Sequence, residues 1–233
     1  MALHGEAVLA IWNGVEDGIE AEFLNWHVHE HIPERVALPG FSRGRRYVAL
    51  DGHPKFFNFY EAEEIPVFTS AAYRAALDAP SEWTTRVVRH FTDTSRTVCR
   101  VVGSWGRGEG AIIETLRLSA ADSIDALVSA LRSQVAPDVA AIHGVVGVHI
   151  LQGQGDTGRQ ATAETRLRKA PDERSDLIIL VEITEQAVVD TLRAGALSDA
   201  ALQALGAASE IRRGSYALQF SLSTEDFDIG KVA

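Results

Sequence analysis

Between Asn25 and Tyr47 the chain reads NWHVHEHIPERVALPGFSRGRRY, with three histidines and two glutamates between His27 and Glu34 and an arginine cluster behind them. Imidazole is the side chain whose ordinary pKa lies nearest neutrality, so a histidine beside a carboxylate is suited to moving a proton. The i, i+4 spacing of His27 and His31 also suits two ligands on one metal ion, with Glu30 or Glu34 adding a carboxylate. The third reading is a hydrogen-bonded, half-buried helix face without chemistry.

A helical wheel at 100° per residue separates the five residues. Leu24, Val28, Ala21 and Ile32 make one apolar patch, and Trp26, Ile19 and Phe23 another. His27, Glu30, His31 and Glu34 fall between the two, where partial desolvation tunes imidazole and carboxylate pKa values. His29 falls on the far side near Glu22 and is expected to face solvent. Pro33 predicts a kink or restart of the helix, because it lacks an N–H and its ring clashes with the carbonyl of His29. The zincin spacing fails: HEHIP puts Pro33 where the second ligand belongs, and HVHEH has no glutamate after its first histidine. The acid–base reading therefore names His27 or His31 as the proton-transfer residue and Glu30 or Glu34 as its partner. A metal-dependent enzyme using His27 and His31 is the weaker alternative; the expectation is no metal and no cofactor.

Trp26, Arg46, Tyr47 and Asn58 are the candidate substrate contacts. Arg45 and Arg46 are neighbours on a strand and must point to opposite faces unless a bulge intervenes. One of them can reach the face lining a barrel, binding a carboxylate or phenolate or pairing with an acid such as Glu182; a plain salt bridge or an exposed strand end is the favoured reading. Asn58, Arg100, Glu114, His149, Glu182 and Gln219 are isolated polar groups in apolar strands, some of them candidates for lining a cavity.

The bulk properties exclude several classes. The chain has 233 residues, 46% hydrophobic and 23% charged, enough for an ample core. A net charge of -10 argues against nucleic-acid binding, which needs a concentrated basic face. The single cysteine, Cys99, permits no disulfide and no cysteine-based zinc site. No apolar run reaches membrane-spanning length, and the first residues lack a basic n-region and an apolar h-region, so a cytoplasmic protein is expected. The expected partner is a small molecule; homo-oligomerisation is left open.

Strand and helix signals alternate as βαββαβ, twice. At an offset of 104 residues Pro33 falls on Pro137, Gly40 on Gly144, Phe23 on Leu127 and Phe41 on Val145, with no gap from the first strand to the second. Two ferredoxin-like units follow, 1–105 and 109–233, joined by GRGEG. One unit leaves a sheet face bare, and a tandem pair can bury both. The fold class is therefore α+β: two tandem ferredoxin-like units whose antiparallel sheets face each other as an intra-chain α/β barrel. The polar stretch at about 153–175 reads as a long mobile loop. His27, Glu30 and His31 fall on Leu131, Gln134 and Val135, so the fold itself does not require them.

The run EFLNWHVHEHIPERVALPGFSRGRRYVA resembles the first helix and second strand of the dimeric α/β-barrel superfamily, and is most similar to its EthD-like branch. Trp26, the histidines, Pro33, Pro39, Gly40, Arg46 and Tyr47 carry the likeness, mainly in the first half. The superfamily includes cofactor-independent monooxygenases, decarboxylases and dehydratases, and the EthD-like branch is associated with breakdown of small organic compounds. The resemblance implies a small-molecule pocket between helices and sheet. The Asn/Trp/His set of haem-degrading monooxygenases is not matched, since Asn25, Trp26 and His27 are consecutive and point in different directions. The functional expectation is a cofactor-independent enzyme acting on a small organic acid or aromatic compound. A non-catalytic binding or assembly protein is its rival.

Overall fold

The computed structural model describes residues 3–157 and 161–227. In chain order the elements are β1 (Ala7–Val15), α1 (Glu20–Trp26), a π-helical turn (His27–His31), α2 (Ile32–Val36), β2 (Phe41–Asp51), β3 (Phe56–Ala62), α3 (Ala71–Asp78), α4 (Glu82–Val88) and β4 (Phe91–Gly106). The second half continues with β5 (Ile112–Leu118), α5 (Ile124–Ala130), a second π-helical turn (Leu131–Val135), α6 (Ala136–Ala140), β6 (Val145–Gly153) and α7 (Ala163–Arg166). It ends with β7 (Leu177–Ile183), α8 (Ala187–Ala194), α9 (Asp199–Ala204) and β8 (Arg212–Ser223).

The strands close into one antiparallel barrel in the order β1-β3-β2-β8-β5-β7-β6-β4. Each half contributes a sheet in ferredoxin-like order, β4-β1-β3-β2 and β8-β5-β7-β6. The seams are β2 with β8 and β4 with β6. Closure removes the sheet edges that each half alone would expose. The helices lie outside, so every strand has an inner face and a helix-side face.

Strand alternation sorts the side chains between these two compartments. Trp12, Tyr47, Phe57, Phe59, Ile113, Leu180 and Tyr216 help fill the inside. On the helix side the second half is a continuous aliphatic core around Leu131, Val135, Leu118, Ile179 and Val181. The helix side of the first half is aromatic and polar instead.

One end of the barrel interior holds an ionic network. Arg45 is fully buried; its Nη1 donates to Glu182 Oε1 at 3.0 Å and its Nη2 to Glu61 Oε1 at 3.2 Å. Its guanidinium lies 4.2 Å from the centre of the Phe59 ring. Arg43 adds a 2.6 Å hydrogen bond to Glu61, and His149 Nε2 lies 3.3 Å from Glu182. The pairing of a β2 arginine with Glu182 is as expected, and the arginine is Arg45. Burial alone pushes the Glu182 carboxyl up. The Arg45 charge, His149 and the Gly110 amide outweigh it and hold the pKa near about 2.

The repeat is closer in space than in sequence. Gly40 and Gly144 both sit in the left-handed region, at φ +85° and +88°, which favours glycine. Both π-helical turns precede a proline, Pro33 or Pro137. In the first, the Ile32 N–H reaches back five residues to the His27 carbonyl. The wider turn accommodates the ring of Pro33 without breaking the helix, and Pro33 enters α2 where its missing N–H costs little. The expectation of an ungapped match is corrected at β1. Leu9 pairs with Tyr60, and its counterpart Glu114 pairs with Val181, so β1 and β5 match one residue later than the following helices.

Among the described residues, no helix is long and apolar enough to cross a membrane.

Candidate functional site

The π-helical turn directs His27 and His31 toward the sheet and leaves His29 exposed, as the wheel predicts. The two inward histidines are 3% and 8% exposed. Their rings stack at a centroid distance of 5.5 Å, with Phe23 on His27 at 5.1 Å and Trp26 on His31 at 4.4 Å. From β3, the Tyr60 hydroxyl meets His27 Nε2 at 3.2 Å. Asn58, also on β3, donates to Asn13 Oδ1 at 2.8 Å. His27 Nδ1, His31 Nδ1 and Asn58 Oδ1 are buried without hydrogen-bond partners. A cavity of about 20 Å³ lies among these groups, room for a single water molecule.

The segment read as a mobile loop forms the roof of this cavity. Gln154 and Glu173 hydrogen-bond to β4. Between them, α7 begins at a reciprocal Thr162–Thr165 cap, and the Ala163 amide donates to Asp78 on α3. Glu164 and Arg168 from this lid line the cavity together with Arg35 and Arg96. Glu164 Oε2 accepts from Arg35 Nη2 at 2.5 Å, and Arg96 donates to the Tyr73 hydroxyl at 2.9 Å. Residues 158–160 of the segment lie outside the described residues.

The other candidates are distributed as follows. Trp26 lines the cavity, and its Nε1 donates to Glu30 at 3.2 Å and to Thr84 at 3.1 Å. Glu30 is held by Trp26, Thr84 and Ser81 rather than by a histidine. Glu34 is partly exposed and lies 3.4 Å from Arg35, without lining the cavity. Arg46 lies on the helix side next to Asn58, where it donates to the Leu24 carbonyl and Gln219. Tyr47 points into the barrel and packs on Phe57, away from the histidines. Alternation forces that separation: with Arg45 inside, Tyr47 is inside and Arg46 is not. The partner of His27 is thus Tyr60, whose flanks FNFYEA read only as a strand. Arg35, Arg96 and Glu164 carried no local motif; an arginine or glutamate in an otherwise apolar or small-residue setting was their one signal.

Both inward histidines have pKa values well below the ordinary range. Burial is the main cause for each; His31 and Arg46 add to it at His27, and Arg35 and Arg168 at His31. Both rings are therefore neutral near pH 7 and able to accept a proton. Burial also pushes the Tyr60 phenol well up, so it stays protonated. Among the described residues no group of three His, Cys, Asp or Glu stands ready to hold a metal ion.

A pH dependence follows. An imidazole whose folded pKa lies below its unfolded value binds fewer protons when folded, so folding weakens as protons are added. The unfolding free energy should fall as pH drops below about 6.5, with a slope approaching about 1.4 kcal/mol per pH unit for each histidine. Urea titrations between pH 5 and 8 measure it. Replacing both histidines should flatten that limb, and an unchanged limb would show that neither is shifted.

No protein-family model matches the chain, and no curated protein matches it. Solved structures do. An anthrone oxidase-like protein superposes with a TM-score of 0.65 at 14% identity, covering 93% of this chain and 92% of that one. A Fusobacterium nucleatum protein assigned as a monooxygenase gives 0.60 at 8%, covering 95% and 96%. A Lactobacillus acidophilus protein with the same assignment gives 0.56 at 9%, covering 94% and 96%. This chain has a ferredoxin-like α/β-barrel fold. The likeness spans both halves of this chain.

Within the α/β barrel the two helix-side compartments can be compared position by position. His27, His31, Asn13, Asn58 and Tyr60 of the first half correspond to Leu131, Val135, Leu118, Ile179 and Val181 of the second. The second compartment is a filled aliphatic core. The fold is thus stable with apolar groups at all five places, and the first half departs from that solution at every one.

Proposed function

We propose that the protein is a cofactor-independent enzyme that removes a proton from a small aromatic or acidic compound, with His27 as the base. The observation that carries this reading is the neutral, buried His27–Tyr60 pair beside a cavity, with an unpartnered ring nitrogen, at places the second half fills with aliphatic groups. Tyr60 holds His27 through Nε2. Burial, and after it the neighbouring His31 and the Arg46 charge, limit how readily His27 keeps a proton, which suits a base that must release it. Trp26, Phe41 and Phe91 offer flat apolar walls for a ring. The cavity is far smaller than the several hundred cubic ångströms a small organic ligand needs, so the lid must open for a substrate to enter.

The resemblance of the first helix and second strand supports a place beside the EthD-like branch. The repeated strand order, π-helical turns and Gly40/Gly144 pair support descent of the two units from a duplication. The anthrone oxidase-like neighbour suggests one substrate type to include, a carbon acid flanked by aromatic rings.

The test is a turnover screen of phenols, anthrone and aromatic carboxylic acids, with product formation followed by NMR and oxygen uptake by electrode. At least one compound should be consumed, and His27→Gln should lose that turnover while keeping its fold. If no compound is consumed, or if the variant works as well as the parent, a non-catalytic binding protein is the better description.

A further inference from the structure

The cavity beside His27 is lined by three arginines and one carboxylate, and that carboxylate belongs to the lid. Glu164 is 4% exposed. Its two oxygens are taken up by Arg35 Nη2 at 2.5 Å and Arg168 Nη2 at 3.4 Å. Arg168 and its second partner Asp172 both belong to the lid segment. Arg35 and Arg96 belong to the barrel side and stay when the lid moves. Arg35 is 3% exposed; its Nη1 has no hydrogen-bond partner and is ion-paired at 3.4 Å with the partly exposed Glu34. Arg96, 5% exposed, donates to the Tyr73 hydroxyl. The two neutral histidines supply no negative charge.

A buried guanidinium without an anion is costly. With Glu164 withdrawn, two buried guanidiniums keep one carboxylate between them, the partly exposed Glu34 beside Arg35, so a further negative group is favoured there. The free space left with Glu164 in place admits no organic molecule. The geometry points to Glu164 as an internal stand-in for a ligand carboxylate: the site takes a small aromatic carboxylate, whose anion replaces Glu164 on Arg35, and the lid acts as a plug that such a ligand must displace. A planar carboxylate matches the guanidinium fork, and a carboxylate already occupies it. The aromatic walls account for the rest of the ligand. This deepens the proposed function, and rests on it for the placing of the ligand's reactive end near His27.

Benzoate is the probe, benzamide its uncharged control and inorganic phosphate the alternative anion. Glu164→Gln removes the competing charge with little change of shape. It should bind benzoate roughly 10- to 100-fold more tightly than the parent, the worth of one charge-assisted hydrogen bond, with no gain for benzamide. Adding Arg35→Met to Glu164→Gln should abolish the benzoate response. In the unaltered protein, saturating benzoate should speed amide exchange across residues 161–172, which keeps the idea testable should Glu164→Gln fold poorly. Equal benzoate binding by parent and Glu164→Gln, slower exchange of the lid with benzoate, or a response to phosphate with none to benzoate would overturn it. Binding is read without turnover, so a His27→Gln protein that binds benzoate but has no reaction to lose separates failure of the catalytic reading from failure of this one.

Discussion

Replacing Arg45 with methionine is expected to destabilise the protein by about 3 kcal/mol, toward the lower end of the range for breaking a buried ion pair. Arg45 is fully enclosed by the barrel and hydrogen-bonds both Glu61 and Glu182. Without it the two carboxylates keep only part of their shell. Glu182 retains the Gly110 amide at 2.8 Å and His149; Glu61 retains Arg43 and the His4 amide at 2.5 Å. Those remaining partners are why the effect is placed near 3 rather than 5. Urea denaturation at pH 7 measures it, and a change below about 1 kcal/mol would show that the network adds little.

The same variant has an acid signature. The Glu182 pKa is held at about 2, below its ordinary value of 4.5. A depressed carboxyl pKa contributes stability that is present above the unfolded value and lost as pH falls from there toward the folded one. The parent should therefore lose stability between about pH 4.5 and 2, and Arg45→Met should have less of that limb to lose. Pairing Arg45→Met with Glu182→Leu should restore part of the loss, because an apolar pair of similar volume avoids the uncompensated charge.

The double replacement His27→Leu and His31→Val should make the protein more stable and inactive. These are the residues the second half carries at the same places, Leu131 and Val135, inside a closed apolar core. Each histidine has a buried Nδ1 with no partner, and an unsatisfied buried polar group costs about 1–3 kcal/mol. Against those two penalties removed, the buried Tyr60 hydroxyl loses its hydrogen bond to His27 and incurs one of the same size, about 1–3 kcal/mol. The balance is a gain of about 1–3 kcal/mol in unfolding free energy, measured by urea denaturation at pH 7. Turnover of whichever compound the screen identifies should fall about 10²- to 10⁴-fold, the usual worth of a general base. Such opposition between stability and activity is what a retained functional group predicts. A double variant that loses more than about 1 kcal/mol would instead make the histidines structural, with their role in packing against Phe23 and Trp26.

Local sequence carried much of this outline. Apolar periodicity placed the strands and helices, because burial of one face leaves a period that survives without any partner in view. The match of Pro33 with Pro137 and Gly40 with Gly144 marked the repeated unit, since both residue types answer to backbone geometry and not to context. The wheel separated exposed His29 from buried His27 and His31. The register error at β1 shows the limit: a single-residue offset between strand and helix leaves hydrophobic spacing almost unchanged. The same limit appears in β2, where alternation shows that Arg45 and Arg46 diverge but not which one turns inward. Naming Arg46 and Tyr47 together as contacts overlooked that the rule also divides those two.

What the chain settles by itself is which residues differ between two units of one fold, because the units face the same packing demands and only one carries the histidines. What surrounds those histidines was decided by tertiary structure. Glu164 meets Arg35 across 129 residues of chain, and the Tyr60 hydroxyl meets His27 across 33. Neither pairing leaves a periodic trace, since a single polar side chain is positioned by barrel closure and by the path of a lid, both set by the summed packing of distant strands.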